Sequence, residues 1–416
     1  MLKNYVYIFY FICFTSLIQL TNSKFFHNIY HTSLEILTKL DSLSSGSCQG
    51  ILKKQSSKLE NNELIYYIVD KQPTKPKQSV YILFGEHSRE LISPELGLYM
   101  IETLCGINPI YDQETVNKIL EQNKFLIVPI VNVPGKIAVE NGNFCKRTNE
   151  NGVDLNRNWN SHFKPSSVDD PDQYSGDHAF SEWQTRVLNQ LLIQFKAKIF
   201  ISVHSGALGM YSPPAYKFLN MKNLDQKFEK IKNLIKVLDV LNDKYCNCKA
   251  GPAANELVYL CPGNCLDYAY EKELVHYSFA FEIFTNQKKN KLFLDIINSD
   301  NPKVFNYKEF ISNYSRDNLA TLFIEKDQIK TTKLKGSFLQ IDSLNVENLK
   351  HHDHSHDENS EYSCFAQSMT KYPRTKEFCL NQFNPLTQKH RDNTVINWTN
   401  VIFELVSLIN QIDPST

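Results

Sequence analysis

The stretch SVYILFGEHSREL, residues 79–91, decides the expected fold of this 416-residue chain. Its first six residues are dominated by Val, Tyr, Ile, Leu and Phe, which is typical of a strand covered on both faces. Gly85 ends this strand, and His87 and Glu90 fall on the turn beyond it. Because residues three apart share one face of a helical turn, the imidazole and the carboxylate can bind one object. The alternative, on this stretch alone, is an exposed ion pair in a loop.

Further strands and helices surround this stretch. Segments 63–70, 124–132 and 197–203 are predicted strands, whereas 31–43, 93–105 and 181–195 are predicted helices, the last with Ser181 as its N-cap. Alternation of strands and helices indicates the α/β class, with a mixed parallel and antiparallel central sheet and helices on both faces. Active groups in such sheets collect beyond the strand ends, where His87 and His204 are placed.

The amino terminus predicts export. Residues 1–23 combine Lys3, an apolar stretch and a small-residue exit, the pattern of a signal peptide. The apolar stretch is shorter than the ~20 residues that span a bilayer, so a membrane anchor is the weaker alternative. We expect a protein that is secreted or extracellular, or in the lumen of a secretory or lysosome-like compartment, and that binds no membrane after signal removal. The formal net charge of zero gives no indication of a nucleic-acid partner.

Ten cysteines are present, and one of them lies in the predicted signal peptide. The remaining number is odd, so at least one thiol stays free or pairs with another molecule. The pattern at 246, 248, 261 and 265 is compatible with a zinc knuckle, but export favours disulfides. Two glycosylation sequons, at Asn313 and Asn397, fit the same route.

The carboxyl-terminal third changes in composition. From about residue 287 Lys and Asn become frequent, and 351–361 reads HHDHSHDENSE. This run cannot form a core and predicts an exposed loop, although its histidines could also bind metal. Residues 395–412 predict an amphipathic last helix. We therefore expect a catalytic domain over 24–412 with an insertion at about 287–362.

Three side chains form a candidate metal site. His87 and Glu90 supply two ligands, and His204 at the next strand end supplies a third. Two histidines and one carboxylate suit one Zn²⁺ per chain that keeps its fourth position open for water. A metal-bound histidine needs an acceptor for its other N–H, and Asp154 is the candidate.

A carboxylate stands inside an apolar strand at 276–284. Alternation directs Ser278, Ala280 and Glu282 to one face, so small residues leave a hollow beside the glutamate. Near Zn²⁺, Glu282 could take a proton from water and pass it to a leaving amine. The alternative is an ion pair in the core.

Five motifs in this order resemble the zinc metallocarboxypeptidases of the carboxypeptidase A type. They are HSRE at 87–90, CKRTNENGVDLNRNW at 145–159, FISVHSG at 200–206, YLCPGNCLDYAY at 259–270 and FAFE at 279–282. The resemblance covers roughly 30–286 and implies a carboxypeptidase-like single domain. It also implies that His87, Glu90 and His204 hold zinc, the ligand set of carboxypeptidase A, and that Glu282 is the general base.

The same resemblance assigns roles around the substrate. Arg147 would polarise the scissile carbonyl. Asn156 and Arg157 would hold the free terminal carboxylate of the substrate, and Tyr259 would close over it. Leu266 would form the floor of the pocket for the departing side chain, which predicts release of aromatic or large aliphatic residues. The expected partner is a peptide or protein with a free C-terminus, and the expected protein is a monomer.

Two departures from the family pattern stand out. Gly206 replaces the Tyr that usually follows HS, and the segment at 287–362 is additional. There is also no room after residue 23 for the inhibitory prosegment of digestive relatives, so activity on secretion is expected. Two rival functions remain, namely a zinc amidase with another substrate and an inactive binding homologue.

Overall fold

The computed structural model describes residues 29–167, 172–224, 230–272, 274–286, 290–314 and 375–413. The strands of this part are β1 Leu52–Leu59, β2 Asn62–Val69, β3 Gln78–Phe84, β4 Asn123–Val128, β5 Ile199–His204, β6 Gly209–Ser212, β7 Lys249–Pro252 and β8 Tyr277–Glu282. The first six helices are α1 Ser33–Ser45, α2 Ile92–Leu104, α3 Gln113–Gln122, α4 Val133–Glu140, α5 Trp183–Phe195 and α6 Ile231–Tyr245. Six more follow, α7 Ala253–Leu257, α8 Cys265–Glu271, α9 Lys291–Asn298, α10 Tyr307–Asn313, α11 Lys376–Phe383 and α12 Gln388–Ile412.

All eight strands form one sheet in the order β1-β2-β4-β3-β5-β8-β6-β7. The central strands β4, β3, β5 and β8 pair in parallel. Antiparallel pairing joins β1 to β2, β2 to β4 and β6 to β8, while β7 pairs in parallel with β6. The predicted mixed sheet is therefore confirmed.

Strand β3 is buried along its whole length, as its composition predicts. Val80, Ile82 and Phe84 enter the core on one face of the sheet, and Tyr81 and Leu83 enter the core on the other. This separation follows from the two-residue period of a strand. Helices α2 and α12 contribute to the first core and α5 to the second, so both faces of the sheet are covered.

Helix α12 lies inside the protein. The predicted last helix is confirmed, but it begins at Gln388, and every residue in 393–409 is buried, so the helix is covered on all sides there. The reason is that α2, α6 and α9 all pack against it. Asn397 is 4% exposed and its Nδ2 donates to the Tyr245 carbonyl. The folded protein therefore does not present this asparagine for glycosylation. The other sequon asparagine, Asn313, is exposed.

The beginning of the predicted insertion belongs to the packed structure. Phe293 and Ile297 of α9 and Phe310 of α10 are buried in the main core. Residues 315–374, including the His-rich run at 351–361, lie outside the described residues, as does the predicted signal peptide at 1–23. The limits of the insertion and of the catalytic domain therefore stay predictions. In the described part of the chain, no helix combines the length and apolarity needed to cross a membrane.

Two local predictions were wrong at helix starts. Glu182, not Ser181, is the N-cap of α5, because the Ser181 hydroxyl donates to the Glu182 carboxylate instead of capping the helix. The strand predicted at 124–132 ends at Val128, and Asn132 instead caps α4 by accepting a hydrogen bond from the Gly135 N–H.

The predicted disulfides are confirmed. Bonds join Cys48 to Cys105, Cys145 to Cys379 and Cys246 to Cys248, and Cys261 is also disulfide-bonded. The free thiol required by the odd number is the buried Cys265. The Cys145–Cys379 bond joins residues 234 positions apart in the sequence. It attaches α11 to the loop that carries Arg147.

Candidate metal centre and active site

A tight turn after β3 presents His87 and Glu90. Gly85 has a φ of +64°, and a Cβ added there would lie 2.9 Å from the Pro94 side chain, so the turn requires glycine. The Glu90 N–H then donates to the His87 carbonyl at 3.2 Å, which brings both side chains to one side. His87 is 3% exposed and Glu90 2% exposed, so this is not the exposed ion pair of the alternative interpretation.

The adjacent strand β5 brings His204 to the same point. Its Nδ1 lies 3.1 Å from His87 Nδ1 and 3.3 Å from Glu90 Oε2, and His87 Nδ1 lies 2.8 Å from Glu90 Oε1. Zinc bonds of about 2.0–2.2 Å place the ligand atoms of a tetrahedral site about 3.3–3.6 Å apart. The spacing and the chemistry of these three buried groups therefore fit a single metal ion. Their potential ligand atoms all lie within 4.8 Å of one another.

Asp154 faces the opposite nitrogen of His87. His87 Nε2 lies 3.1 Å from Asp154 Oδ1, and Arg147 Nε donates to Oδ2 at 2.8 Å. Burial alone raises the pKa of Asp154, but the charges of Arg147 and Arg157 hold it well below the usual range. The carboxylate therefore stays ionised and accepts the His87 N–H, which leaves Nδ1 free for a metal.

Glu282 ends β8 beside the metal ligands. It is in register with His204 on β5, and its Oε2 accepts a hydrogen bond of 3.2 Å from the Ala207 N–H. Burial, and then the negative charge of Glu90, raise the pKa of Glu282 above its ordinary value. The side chain lines the cleft, where a raised pKa favours proton transfer.

A cleft with an empty volume of about 650 Å³ joins these groups to the other predicted substrate residues. Its lining contains Arg147, Asn156, Arg157, Tyr259 and Leu266 in addition to the three potential ligands and Glu282. The structure thus brings the predicted site residues to one cleft, except Asp154, which lies behind His87.

Asn156 and Arg157 form the polar wall of the cleft, and hydrogen bonds hold both side chains in place. Arg157 Nη1 donates to the Asn156 carbonyl at 2.6 Å, and Asn156 Oδ1 accepts from the Cys265 N–H at 3.0 Å. Arg157 is 8% exposed, so the guanidinium is largely enclosed. Such an enclosed, oriented guanidinium can bind a carboxylate with two parallel hydrogen bonds.

The far end of the cleft is apolar. Tyr211, Ala215, Ala253 and Leu266 form a buried cluster with Cys261, and Leu257, Tyr259 and Ala280 pack against it. Ala253 lines the cleft. Asp267, next to Leu266, is not among the lining residues, and its carboxylate accepts the N–H groups of Ala215 and Tyr216.

Phe383, at the end of α11, is a cleft residue that sequence reasoning missed. Gly206 has a φ of +133°, and a Cβ there would lie 2.7 Å from the Phe383 ring. The Cζ atom of Arg89 lies 4.3 Å from the centre of the Phe383 ring. A distant helix therefore contributes an aromatic ring beside Gly206, for which the sequence carries no local signal.

Glu86 and Ser202 are also buried next to His204 and were missed. Glu86 lies between the glycine turn and His87, where the His-x-x-Glu spacing draws attention to Glu90 instead. Ser202 lies two residues before His204 and therefore on the same face of β5.

Together, the mixed sheet and the His₂Glu group at the ends of its parallel strands define a protein of the α/β class with a potential mononuclear metal centre. Residues 53–319 match the sequence profile of the family described as zinc carboxypeptidase, and the chain belongs to this family. The predicted carboxypeptidase-like fold is thus confirmed.

Individual relatives are distant in sequence. Mast cell carboxypeptidase A of Homo sapiens is 27% identical over 247 residues, which cover 55% of this chain and 57% of the relative. Carboxypeptidase A2 of Mus musculus is 25% identical over 280 residues, covering 63% and 64%. The chain therefore matches less than two thirds of the length of these relatives.

Solved structures agree with the fold. Thrombin activatable fibrinolysis inhibitor (TAFI) superposes with a TM-score of 0.53 at 25% identity, covering 61% of this chain and 66% of that chain. Carboxypeptidase A from Helicoverpa armigera gives 0.52 at 18% identity, covering 61% and 64%, and this likeness supports the fold alone.

Zinc binding is the first prediction. Purified protein should contain one Zn²⁺ per chain by elemental analysis, and His204→Ala should lose it because a two-ligand site remains. His276→Ala, at a side chain that is 74% exposed, is the matched control and should retain the metal. A His204→Ala protein with full zinc content would show that the metal lies elsewhere.

Proposed function

We propose that this chain is a zinc-dependent exopeptidase that removes single residues from the C-terminus of peptides or proteins. The observation that carries the proposal is one cleft that contains both the His₂Glu group and an enclosed guanidinium, Arg157. An endopeptidase has no need of a carboxylate-binding cation in the same cleft as the metal ligands. Membership in the zinc carboxypeptidase family supports the same conclusion.

Substrate binding is assigned to the polar wall. Arg157 and Asn156 bind the terminal carboxylate, and Tyr259 covers it. A carboxylate accepts two hydrogen bonds from the guanidinium fork and one from the amide, so only a free chain end satisfies all donors. The carboxylate thereby positions the last peptide bond at the metal ligands.

Catalysis is assigned to Glu282 and Arg147. His87, Glu90 and His204 would hold a Zn²⁺, which would supply activation of water and polarisation of the scissile carbonyl. Glu282 accepts a proton from the attacking water and transfers it to the departing amine. Arg147, held by Asp154, donates hydrogen bonds to the oxygen on which negative charge develops.

The proposal is tested with a matched pair of substrates. A blocked dipeptide with a free terminal carboxylate should be cleaved well, and its amide should lose ten- to over a hundredfold in kcat/KM. This range corresponds to the ~1.5–3 kcal/mol of a charged hydrogen bond. Arg157→Met should remove most of the difference, whereas the surface variant Arg186→Met should preserve it. Equal cleavage of acid and amide would favour a zinc amidase or endopeptidase instead.

The role of Glu282 is tested separately. Glu282→Gln should retain zinc and leave KM nearly unchanged while kcat falls by roughly 10²–10⁴, because the amide cannot accept the proton. Steady-state kinetics on protein of verified zinc content measure this. An unchanged kcat would assign Glu282 to a structural role.

Specificity is proposed from the apolar end of the cleft. Leu266, Ala253 and Ala280 present no charge, and the Asp267 carboxylate is bonded to backbone N–H groups. Burial of a departing Phe or Leu side chain gains ~1.5–3 kcal/mol. A departing Lys or Arg would be buried without a counterion, which is costly. We therefore propose preference for aromatic and large aliphatic residues.

Paired substrates that end in Phe and in Arg measure this preference. The unsubstituted protein should cleave the Phe substrate at least tenfold faster in kcat/KM. Leu266→Asp should shift the ratio toward Arg, because it places a carboxylate at the pocket floor. Preference of the unsubstituted protein for Arg would contradict the pocket assignment and leave the zinc chemistry intact.

The site of action is proposed as the exported space, either extracellular or within a secretory or lysosome-like compartment. The disulfides support this, because such bonds persist in oxidising compartments. The proposed partner is a peptide or protein with a free C-terminus, and the proposed active form is a monomer.

A further inference from the structure

The residue before His87, Glu86, is a buried carboxylate that the proposed mechanism does not use. It is 1% exposed. Three donors converge on it: Trp159 Nε1 at 3.4 Å, Ser202 Oγ at 3.3 Å and Cys265 Sγ at 3.7 Å. The indole N–H, the hydroxyl and the thiol can each donate a hydrogen bond to the Glu86 carboxylate.

Ser202 links this anion to His204. Its Oγ lies 2.7 Å from His204 Nε2, and Glu86 Oε2 lies 3.5 Å from the same nitrogen. A hydroxyl has one proton to donate. If that proton is donated to Glu86, the Ser202 oxygen must accept from the histidine, so Nε2 carries a proton.

This assignment leaves the correct atom of His204 for a metal. With its proton on Nε2, the ring directs the lone pair of Nδ1 toward His87 and Glu90. The Asn156 Nδ2 lies 3.3 Å from His204 Nε2 and is a contact, not a hydrogen bond, in this form, because two donors face each other.

The arrangement on His204 parallels the one on His87. Both histidines turn Nδ1 toward the metal position and Nε2 toward a carboxylate, which is Asp154 directly for one ring and Glu86 through Ser202 for the other. We propose that Glu86, acting through Ser202, is a positioning residue that fixes the tautomer and orientation of His204 and strengthens metal binding. The proposal rests on the zinc site described above.

A purely structural role for Glu86 predicts a different result. The Glu86 carboxylate lies 3.5 Å from His204 Nε2 and also accepts from Trp159 and Cys265. If Glu86 positions His204, replacing Glu86 by Gln should lower zinc affinity. If Glu86 serves only Trp159 and Cys265, the metal-free protein should lose stability and zinc affinity should not change.

The test uses Glu86→Gln, Ser202→Ala and the double variant of the full chain, with zinc affinity measured by chelator competition. Each single change should weaken zinc binding by about 10–100-fold, the range for groups that orient a metal ligand. Because Glu86 acts through Ser202, the two losses should not add. The double variant should have about the same zinc affinity as the single variant with the lower affinity. Cys265→Ala removes a different Glu86 partner and should change affinity less than about threefold.

Two further readouts separate positioning from general damage. Visible spectra of the Co²⁺-loaded variants should change in Glu86→Gln and Ser202→Ala but not in Cys265→Ala, since the bands report ligand geometry. Thermal unfolding of the metal-free Glu86→Gln protein checks that it is folded at the temperature of the zinc titration. Unchanged zinc affinity in Glu86→Gln, or additive losses in the double variant, would overturn the proposal. None of these measurements requires turnover, so failure of the proposed peptidase activity is a distinct result.

Discussion

Parallel pairing of β3, β5 and β8 holds the site together, because each strand ends at the same edge of the sheet. The register aligns His204 with Glu282 across β5 and β8, and β3 delivers His87 through the turn at Gly85. A one-residue slip would send every side chain of a strand to the opposite face. The site therefore depends on the register, and the two buried cores on either side of the sheet maintain it.

The second constraint is charge. Carboxylates surround the two histidines. The guanidinium of Arg147 donates a hydrogen bond to one of these carboxylates, Asp154, and lies 3.6 Å from a second, at Glu90 Oε1. Buried charges are tolerated when they are paired and hydrogen-bonded. This pairing leaves a site that is oriented before substrate arrives, which is the condition for strong electrostatic stabilisation in a transition state. A bound dication would offset the remaining negative charge.

The carboxyl-terminal elements complete the cleft from outside the central sheet. Helix α11 delivers Phe383 onto Gly206, and the Cys145–Cys379 bond fastens that helix to the loop that carries Arg147. Helix α12 fills the core on one face of the sheet. An aromatic ring from α11 thus lies against Gly206 and forms part of the cleft wall.

The sequence alone determined the α/β class, the buried strand β3 and the residue types of the candidate metal centre, because apolar periodicity, the His-x-x-Glu spacing and the place of His204 at a strand end are all local patterns. It could not assign the N-cap of α5 or the burial of α12, which depend on packing. Only the tertiary structure decided that Glu86 faces His204 and that Phe383 covers Gly206. The physical reason is distance along the chain: Glu86 meets Cys265 across 179 positions, and no local pattern encodes such a contact.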